Sequence, residues 1–314
     1  MVKTAFIFPG QGAQYAGMGK ALAQEFKCAR EVFERADDAL SLDISALCWN
    51  GPDSELRLTA NAQPAIMTTS AACFEVLKGF GLVPDVVAGL SLGEYSALVC
   101  AGSIEFEDGV RLVRQRGLIM QEAVPDGVGA MAAIVGLDSR LVEQACREVA
   151  GHAGIVGPAN YNCPGQIVIS GEKAAVLEAS QRAISLGAKK VIPLNVSGPF
   201  HSSLMKPAAD RLADVLSSVP IRPALMPVVA NVTAEQVDTP DCIREVLKKQ
   251  MASPVLWEQS IRRILSEGAT LFVEVGPGKT LAGFLRKIAQ SVPCFSFDHR
   301  ESLEAILESA GVGC

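Results

Sequence analysis

The sequence has few aromatic residues and no excess of positive charge. Aromatic residues make up 5% of the chain and hydrophobic residues of all kinds 49%, so the core must be mainly aliphatic. The formal net charge of −6 and the sequence pI of about 5.3 argue against a chain-wide basic surface for nucleic acid. An acidic protein partner would therefore have to dock on a local basic patch.

Long apolar runs and paired cysteine motifs are also missing. No stretch approaches the roughly 18 uninterrupted apolar residues of a membrane-spanning helix. The apolar run at residues 4–8 ends at once in a Pro-Gly turn, which is too short for a secretory signal. None of the nine cysteines forms a Cys-x-x-Cys pair, which argues against zinc ribbons and thioredoxin chemistry. We expect a cytoplasmic protein with reduced, mostly buried thiols.

Two glycine-rich segments lack a residue that nucleotide binding would require. Residues 276–280 end like a phosphate-binding P-loop, but Val273 stands where its first glycine belongs. Residues 10–12 follow a strand, as in dinucleotide-binding proteins, but Tyr15 stands in place of the third glycine. The sequence therefore predicts neither nucleotide hydrolysis nor a dinucleotide cofactor.

Strand-like and helical segments alternate along most of the chain. Short buried strands are predicted at residues 4–8, 85–88, 226–231, 270–275 and 294–297. Helices are predicted at residues 19–40, 63–79, 94–101, 105–123, 202–217, 242–250, 257–267 and 278–289, with one more at the C-terminus. This alternation is typical of the α/β class, in which helices cover both faces of a parallel sheet.

The pattern changes after a Pro-Asp-Gly turn at residues 125–127. Strands are predicted at residues 129–135, 155–162, 166–170 and 190–195, and helices at residues 139–150 and 172–186. This β-α-β-β-α-β order is that of a ferredoxin-like unit. We therefore expect a large domain of residues 1–125 and 197–314, interrupted by a ferredoxin-like small domain of residues 126–196.

Residues 89–93 read Gly-Leu-Ser-Leu-Gly and lie between a predicted strand and a predicted helix. This is the setting of a nucleophile elbow, where two glycines permit a turn sharp enough to expose the hydroxyl of Ser91. The N-terminus of the following helix favours negative charge beside that hydroxyl. A glycine-serine turn without chemistry is the alternative interpretation.

A serine nucleophile needs a base, and the chain has only three histidines. His152 closes a helix of the inserted unit and is expected on the surface. His299 lies late in the chain, where α/β-hydrolases carry their base. His201 lies in a Gly-Pro loop that enters a helix, and such loops often carry function. From the residues alone, His201 and His299 both remain candidates.

Six segments in the same order resemble the malonyl-CoA:acyl carrier protein transacylases of bacterial fatty-acid synthesis. They are residues 8–14, 89–95, 114–117, 198–202, 250–255 and 275–278. The resemblance covers essentially the whole chain. It implies an α/β-hydrolase-like large domain with a parallel sheet and an inserted ferredoxin-like domain.

The resemblance also assigns a role to each catalytic residue. Ser91 would be the nucleophile and His201 its base. The side-chain carbonyl of Gln250 would orient the imidazole, since a neutral acceptor suffices to select the tautomer. The main-chain N–H groups of Gln11 and Leu92 would form the oxyanion hole.

Substrate recognition is implied in the same way. Arg116 would bind the free malonyl carboxylate, because its planar fork reaches both oxygens. Gln63, Asn160 and Asn162 would be polar residues near the site. Phe200 is similar to the residue that malonyl-selective members carry directly before the histidine. Leu90 departs from the histidine that many members carry before the nucleophile.

The implied reaction moves a malonyl group from malonyl-CoA to holo acyl carrier protein, supplying fatty-acid synthesis without a metal or other cofactor. We expect a monomer that binds neither nucleic acid nor membrane. The acidic carrier is predicted to dock on Lys189, Lys190, Arg286 and Lys287. Alternatives are service to polyketide synthesis, a thioesterase or carboxylesterase that uses His299, and a scaffold without activity.

Overall fold

The computed structural model describes residues 2–125, 127–196 and 198–312. Its strands are β1 (Thr4–Phe8), β2 (Val86–Gly89), β3 (Gly129–Val135), β4 (Val156–Cys163), β5 (Gln166–Glu172), β6 (Lys190–Pro193), β7 (Val228–Val229), β8 (Gln236–Val237), β9 (Leu271–Val275) and β10 (Cys294–Phe297). Its α-helices are α1 (Lys20–Glu25), α2 (Lys27–Leu40), α3 (Ile44–Asn50), α4 (Asp53–Leu56), α5 (Thr59–Gly79), α6 (Leu92–Cys100), α7 (Phe106–Gln121), α8 (Ser139–Val149), α9 (Lys173–Ser185), α10 (Lys206–Ser218), α11 (Pro240–Gln250), α12 (Trp257–Ser266), α13 (Thr280–Ile288) and α14 (Leu303–Ala310).

A six-stranded sheet with the order β10-β9-β1-β2-β7-β8 forms the centre of the large domain. Its first five strands are parallel, and only β8 pairs antiparallel, with β7. Every residue of β1, β2 and β9 is buried, as expected of parallel strands that are covered on both faces. The predicted parallel α/β sheet is confirmed.

Side chains of β1 alternate between two hydrophobic cores. Phe6 and Phe8 belong to the core that includes residues of α2, α5 and α7. Ala5 and Ile7 belong to a second core with residues of α12 and α13. This alternation follows from the two-residue period of a strand, so helices pack on both faces. No helix among the described residues combines the length and the apolar character that a membrane crossing needs.

A four-stranded antiparallel sheet with the order β4-β5-β3-β6 forms the inserted unit. One face of β3, with Ala132 and Ile134, packs in a core with residues of α8 and α9. The other face, with Met131 and Ala133, joins the core of the large domain. The predicted ferredoxin-like arrangement is confirmed. The boundaries placed at residues 125/126 and 196/197 stay predictions, because Asp126 and Ser197 lie outside the described residues.

Several predicted elements differ in extent from those in the structure. The helix predicted at 19–40 is two helices, because Phe26 is extended at φ −110° and ψ 119° and packs edge-on against Phe80. The strand predicted at 226–231 shrinks to β7, after which Asn231 turns towards the nucleophile elbow. The helix predicted at 202–217 begins with the 3-10 turn Ser203–Met205. Helices α3 and α4 and strand β8 were not predicted.

Candidate active site

The turn between β2 and α6 has the geometry of a nucleophile elbow. Ser91 adopts φ 54° and ψ −103°, a conformation that non-glycine residues rarely adopt. A Cβ on Gly93 would lie 2.0 Å from the main-chain oxygen of Phe8, so only glycine lets the elbow approach β1 so closely. The Asn231 side chain holds the turn, accepting from Ser91 N at 2.7 Å and donating to Gly89 O at 2.6 Å.

His201 lies beside the nucleophile. Its Nε2 is 2.8 Å from Ser91 Oγ. Its Nδ1 is 3.0 Å from the main-chain oxygen of Gln250 and 3.2 Å from that of Ser253. Since carbonyl oxygens only accept hydrogen bonds, Nδ1 carries the proton and Nε2 accepts the serine hydroxyl. The prediction that the side-chain carbonyl of Gln250 orients the imidazole is wrong, because main-chain carbonyls do so and the side chain turns elsewhere.

The environment of His201 keeps its ring neutral. Burial lowers its pKa to about 4, and the nearby positive charge of Arg116 acts in the same direction. The two main-chain carbonyl contacts oppose this shift without cancelling it. At neutral pH the imidazole is therefore unprotonated at Nε2 and ready to accept the serine proton.

Arg116 projects from α7 into the same site with only 1% of its surface exposed. Its Nη1 donates to Gln63 Oε1 at 2.8 Å. Its Nη2 donates to Gln250 Oε1 at 3.0 Å and to Ser91 Oγ at 3.1 Å. The guanidinium lies over the ring of Tyr95, with 5.1 Å between its carbon and the ring centroid.

The charge of Arg116 has no direct carboxylate partner among the described residues, because the three hydrogen bonds of the guanidinium go to two amides and a hydroxyl. Its buried Nε–H has no partner in the same part of the chain. Burial lowers the pKa of Arg116. Glu94 acts on this charge through space, without a direct contact. A buried cation without a direct ion-pair partner is costly, so the site favours a ligand that brings its own negative charge.

Behind the nucleophile, the Gln250 side chain joins α7 to α6. While its Oε1 accepts from Arg116, its Nε2 donates to Ser91 O at 3.0 Å and to Glu94 Oε2 at 2.5 Å. Glu94 is fully buried, and burial raises its pKa to about 7. Glu94 was not predicted as a site residue, although an acidic residue directly after the elbow, in a helix with no other charged residue, was an available signal.

A cavity of about 360 Å³ opens in front of Ser91, between the two sheets. Residues from the predicted site line it: Gln11, Leu92, Arg116, Asn160, Asn162, Phe200 and His201. Gln63 lies behind the cavity and reaches it through Arg116. The side chain of Gln11 donates to Thr59 Oγ1 at 3.2 Å, which holds the loop after β1. The oxyanion hole at Gln11 and Leu92 stays a prediction.

The other two histidines lie away from Ser91. His299 is 46% exposed, and its Nε2 is 3.2 Å from the hydroxyl of Tyr15, which also contacts Asp298. His152 is 60% exposed and pairs with Glu178. Of the three histidines, all of which the structure describes, only His201 contacts the nucleophile, in agreement with the residue that the family resemblance assigned.

Comparison with known proteins agrees with this geometry. The family model described as "Acyl transferase domain" matches residues 5–301. The malonyl CoA-acyl carrier protein transacylase of Bacillus subtilis is 48% identical over 309 residues, which is 98% of either chain. The structure of acyl-carrier-protein-S-malonyltransferase from Bartonella henselae has a TM-score of 0.96 at 44% identity, covering 99% of this chain and 100% of that one.

A further structural relative was solved with its carrier. It is the malonyl-transacylase bound to a holo acyl-carrier protein of a type II PKS, with a TM-score of 0.95 and 43% identity, covering 98% of this chain and 99% of that one. The sequence similarity, the fold and the arrangement around Ser91 agree with one another. The chain belongs to the acyl transferase family, among the malonyl CoA-acyl carrier protein transacylases.

Proposed function

We propose that this protein transfers a malonyl group from malonyl-CoA to the phosphopantetheine thiol of holo acyl carrier protein. The observation that carries the proposal is the position of Arg116 Nη2, 3.1 Å from Ser91 Oγ. A buried guanidinium beside the nucleophile selects acyl groups that carry their own carboxylate. The names of the relatives point to the same substrate.

The first half-reaction forms a malonyl-serine ester. Ser91 Oγ attacks the thioester carbonyl while its proton moves to His201 Nε2, which is 2.8 Å away. The developing oxyanion would be bound by the main-chain N–H groups of Gln11 and Leu92, and such donors are commonly worth about 3–4 kcal/mol. The intermediate collapses, the C–S bond breaks, and coenzyme A leaves as a thiol with the proton from His201.

The second half-reaction repeats these steps with a different thiol. His201 takes the proton from the phosphopantetheine thiol of the carrier, and the sulfur attacks the ester carbonyl. The C–O bond to Ser91 breaks, and His201 returns the proton to Ser91 Oγ. Throughout, Arg116 would bind the malonyl carboxylate, while Phe200, Asn160 and Asn162 limit the shape of the cavity.

A basic rim beside the cavity is suited to the acidic carrier. Lys189, Lys190, Arg286 and Lys287 are all exposed. Lys287 Nζ is 3.4 Å from Gln166 Oε1, and Gln166 lines the cavity. Lys190 and Gln166 both pair with Val135 in the small sheet, so Lys190 lies two strands from the residue that Lys287 contacts. Charge reversal at this rim is expected to slow transfer to the carrier and spare acylation by malonyl-CoA, whereas equal slowing of both steps would refute the docking role.

For its cellular role, we propose that a cytoplasmic monomer supplies fatty-acid synthesis and works without a metal or other cofactor. Service to polyketide synthesis is the second candidate, because a similarly close structural relative binds a type II PKS carrier. Comparing the transfer rates to a fatty-acid carrier and to a polyketide carrier distinguishes the two. A preference of at least about tenfold for the fatty-acid carrier is the expected result.

The decisive experiment records intact masses in two stages. The protein is mixed with malonyl-CoA alone, and holo carrier protein is then added. A malonyl adduct on Ser91 that passes to the carrier is the expected result. An adduct that only hydrolyses would favour a thioesterase. No adduct with malonyl-, acetyl- or methylmalonyl-CoA would favour a scaffold. Ser91→Ala is the control for the site of attachment.

A further inference from the structure

A carboxyl group that takes no part in the proposed reaction lies directly behind the nucleophile. Glu94 is in the first turn of α6, three residues after Ser91, and its side chain has no exposed surface. Its Oε2 accepts from Gln250 Nε2 at 2.5 Å and from the main-chain N–H of Asn231 at 3.3 Å. Burial of a carboxyl group is costly, so its presence directly behind the nucleophile calls for a reason.

The chemistry of the Gln250 amide supplies one. Its two ends differ, since the oxygen only accepts hydrogen bonds and the nitrogen only donates them. On one side lies Arg116, which can only donate, and on the other lies Glu94 Oε2, which accepts. If the amide were flipped, its nitrogen would face the guanidinium of Arg116, where both groups only donate. Its oxygen would then face Glu94 Oε2, where oxygen meets oxygen. Glu94 Oε2, together with the main-chain oxygen of Ser91 that accepts from the same nitrogen, therefore holds the amide with its oxygen facing Arg116.

The protonation of Glu94 does not disturb this arrangement. Burial raises its pKa to about 7, so near neutral pH both forms are present. The other oxygen, Oε1, is buried and has no hydrogen-bond partner in the described part of the chain. A proton on Oε1 leaves Oε2 free to accept from Gln250 in either form. The orientation of the amide is thus preserved across the neutral pH range.

We infer that Glu94 is a positioning residue that acts through Gln250 and Arg116 to select carboxylated acyl groups. With Gln250 Oε1 held in place, one Nη2 hydrogen of Arg116 is anchored. Gln63 anchors Nη1 in the same way, so the guanidinium plane is held from two sides. A guanidinium held in one plane is preorganised for the two oxygens of a carboxylate. This inference rests on the function proposed above.

A purely structural role for Glu94 predicts a different outcome. Through Asn231, Glu94 also supports the turn that carries Ser91. Damage to that turn would slow attack on every thioester to the same degree. Loss of the Gln250 orientation would instead weaken the binding of acyl groups with a carboxylate and leave neutral acyl groups nearly unaffected.

Three variants separate the two roles. Glu94→Gln keeps the shape of the side chain and one accepting oxygen. Glu94→Asp shortens the side chain by one methylene, which moves the carboxyl group away from Gln250. Glu94→Met removes both accepting oxygens. Single-turnover acylation of Ser91 is measured with malonyl-CoA and with acetyl-CoA over a range of concentrations. The ratio of their kcat/KM values is expected to stay within about threefold of wild type in Glu94→Gln. In Glu94→Asp and Glu94→Met this ratio should fall at least about tenfold, mostly through a higher KM for malonyl-CoA.

Glu274→Met is the matched control for loss of a buried carboxyl group. Glu274 is equally buried and accepts from the main-chain N–H groups of Leu281 and Ala282 at the start of α13. Glu274→Met is expected to lower the thermal stability and to keep the wild-type ratio of the kcat/KM values for malonyl-CoA and acetyl-CoA. If Glu94→Met does not fold, Glu94→Asp decides the question.

The outcomes distinguish the inference from the function on which it rests. If the wild-type protein forms no malonyl-serine, the proposed function fails. If the wild type reacts but Glu94→Met or Glu94→Asp slows both thioesters equally, with an unchanged malonyl-CoA KM, only the positioning role of Glu94 is overturned.

Discussion

Replacement of Arg116 by leucine tests the proposed recognition of the malonyl carboxylate. Removing one partner of a buried ion pair commonly costs about 3–5 kcal/mol, which corresponds to a factor of about 10² to 10⁴ in rate. Acylation by malonyl-CoA should fall by this factor. Acetyl-CoA has no carboxylate and should lose about tenfold, because only one of the three hydrogen bonds that the substitution removes, the one from Arg116 Nη2 to Ser91 Oγ, reaches the nucleophile.

The assay is single-turnover formation of acyl-serine with each thioester, followed by intact mass. Arg114→Leu is the matched control, because Arg114 is on the same helix and pairs with Asn61 instead of Ser91. That control should keep both rates near wild type. Arg116→Lys keeps the charge without the fork and should fall between wild type and Arg116→Leu. Equal losses for malonyl-CoA and acetyl-CoA in Arg116→Leu would refute the reasoning.

Three further predictions concern the base and the elbow. Because burial lowers the pKa of His201 to about 4, kcat/KM should be level between about pH 5.5 and 7.5 and fall only as the base is protonated near its pKa. An acid limb at the ordinary histidine value would contradict this. His201→Ala should abolish acyl-serine formation and His299→Ala should not, and the reverse pattern would identify an esterase. Gly93→Ala should destabilise the fold by about 1–3 kcal/mol in thermal unfolding, since its Cβ would lie 2.0 Å from a main-chain oxygen of β1. Gly79→Ala, with open space around it, should be neutral or stabilising.

The fold was predictable where one local pattern dominates a segment. Strand β10 (Cys294–Phe297) begins and ends where the sequence predicted, and the order of elements in the inserted unit is correct. The predictions failed where tertiary contacts override local preference. Phe26 leaves the helical conformation in a segment with good helical periodicity, and it packs against Phe80 more than fifty residues later in the chain.

The candidate site was predictable only in part, for the same reason. Ser91 was found because the residues that shape its turn are its immediate neighbours in sequence. From the residues alone His201 and His299 could not be distinguished, since the contact with Ser91 spans 110 residues, and only the family resemblance favoured His201. The role of Gln250 was assigned to the wrong atoms, because nothing in the sequence shows which way an amide points.

The sequence by itself therefore determined the alternation of strands and helices, the sharp turn at Ser91 and the family to which the chain belongs. The first two features depend on the hydrophobic period and on glycines within a few residues of one another, and the family is recognised from short segments that are each local in sequence. Only the tertiary structure decided which histidine contacts Ser91, which carbonyls hold that histidine, and that Glu94 contacts Gln250, 156 residues away. Such contacts arise from the packing of whole elements, and local propensity carries no information about them.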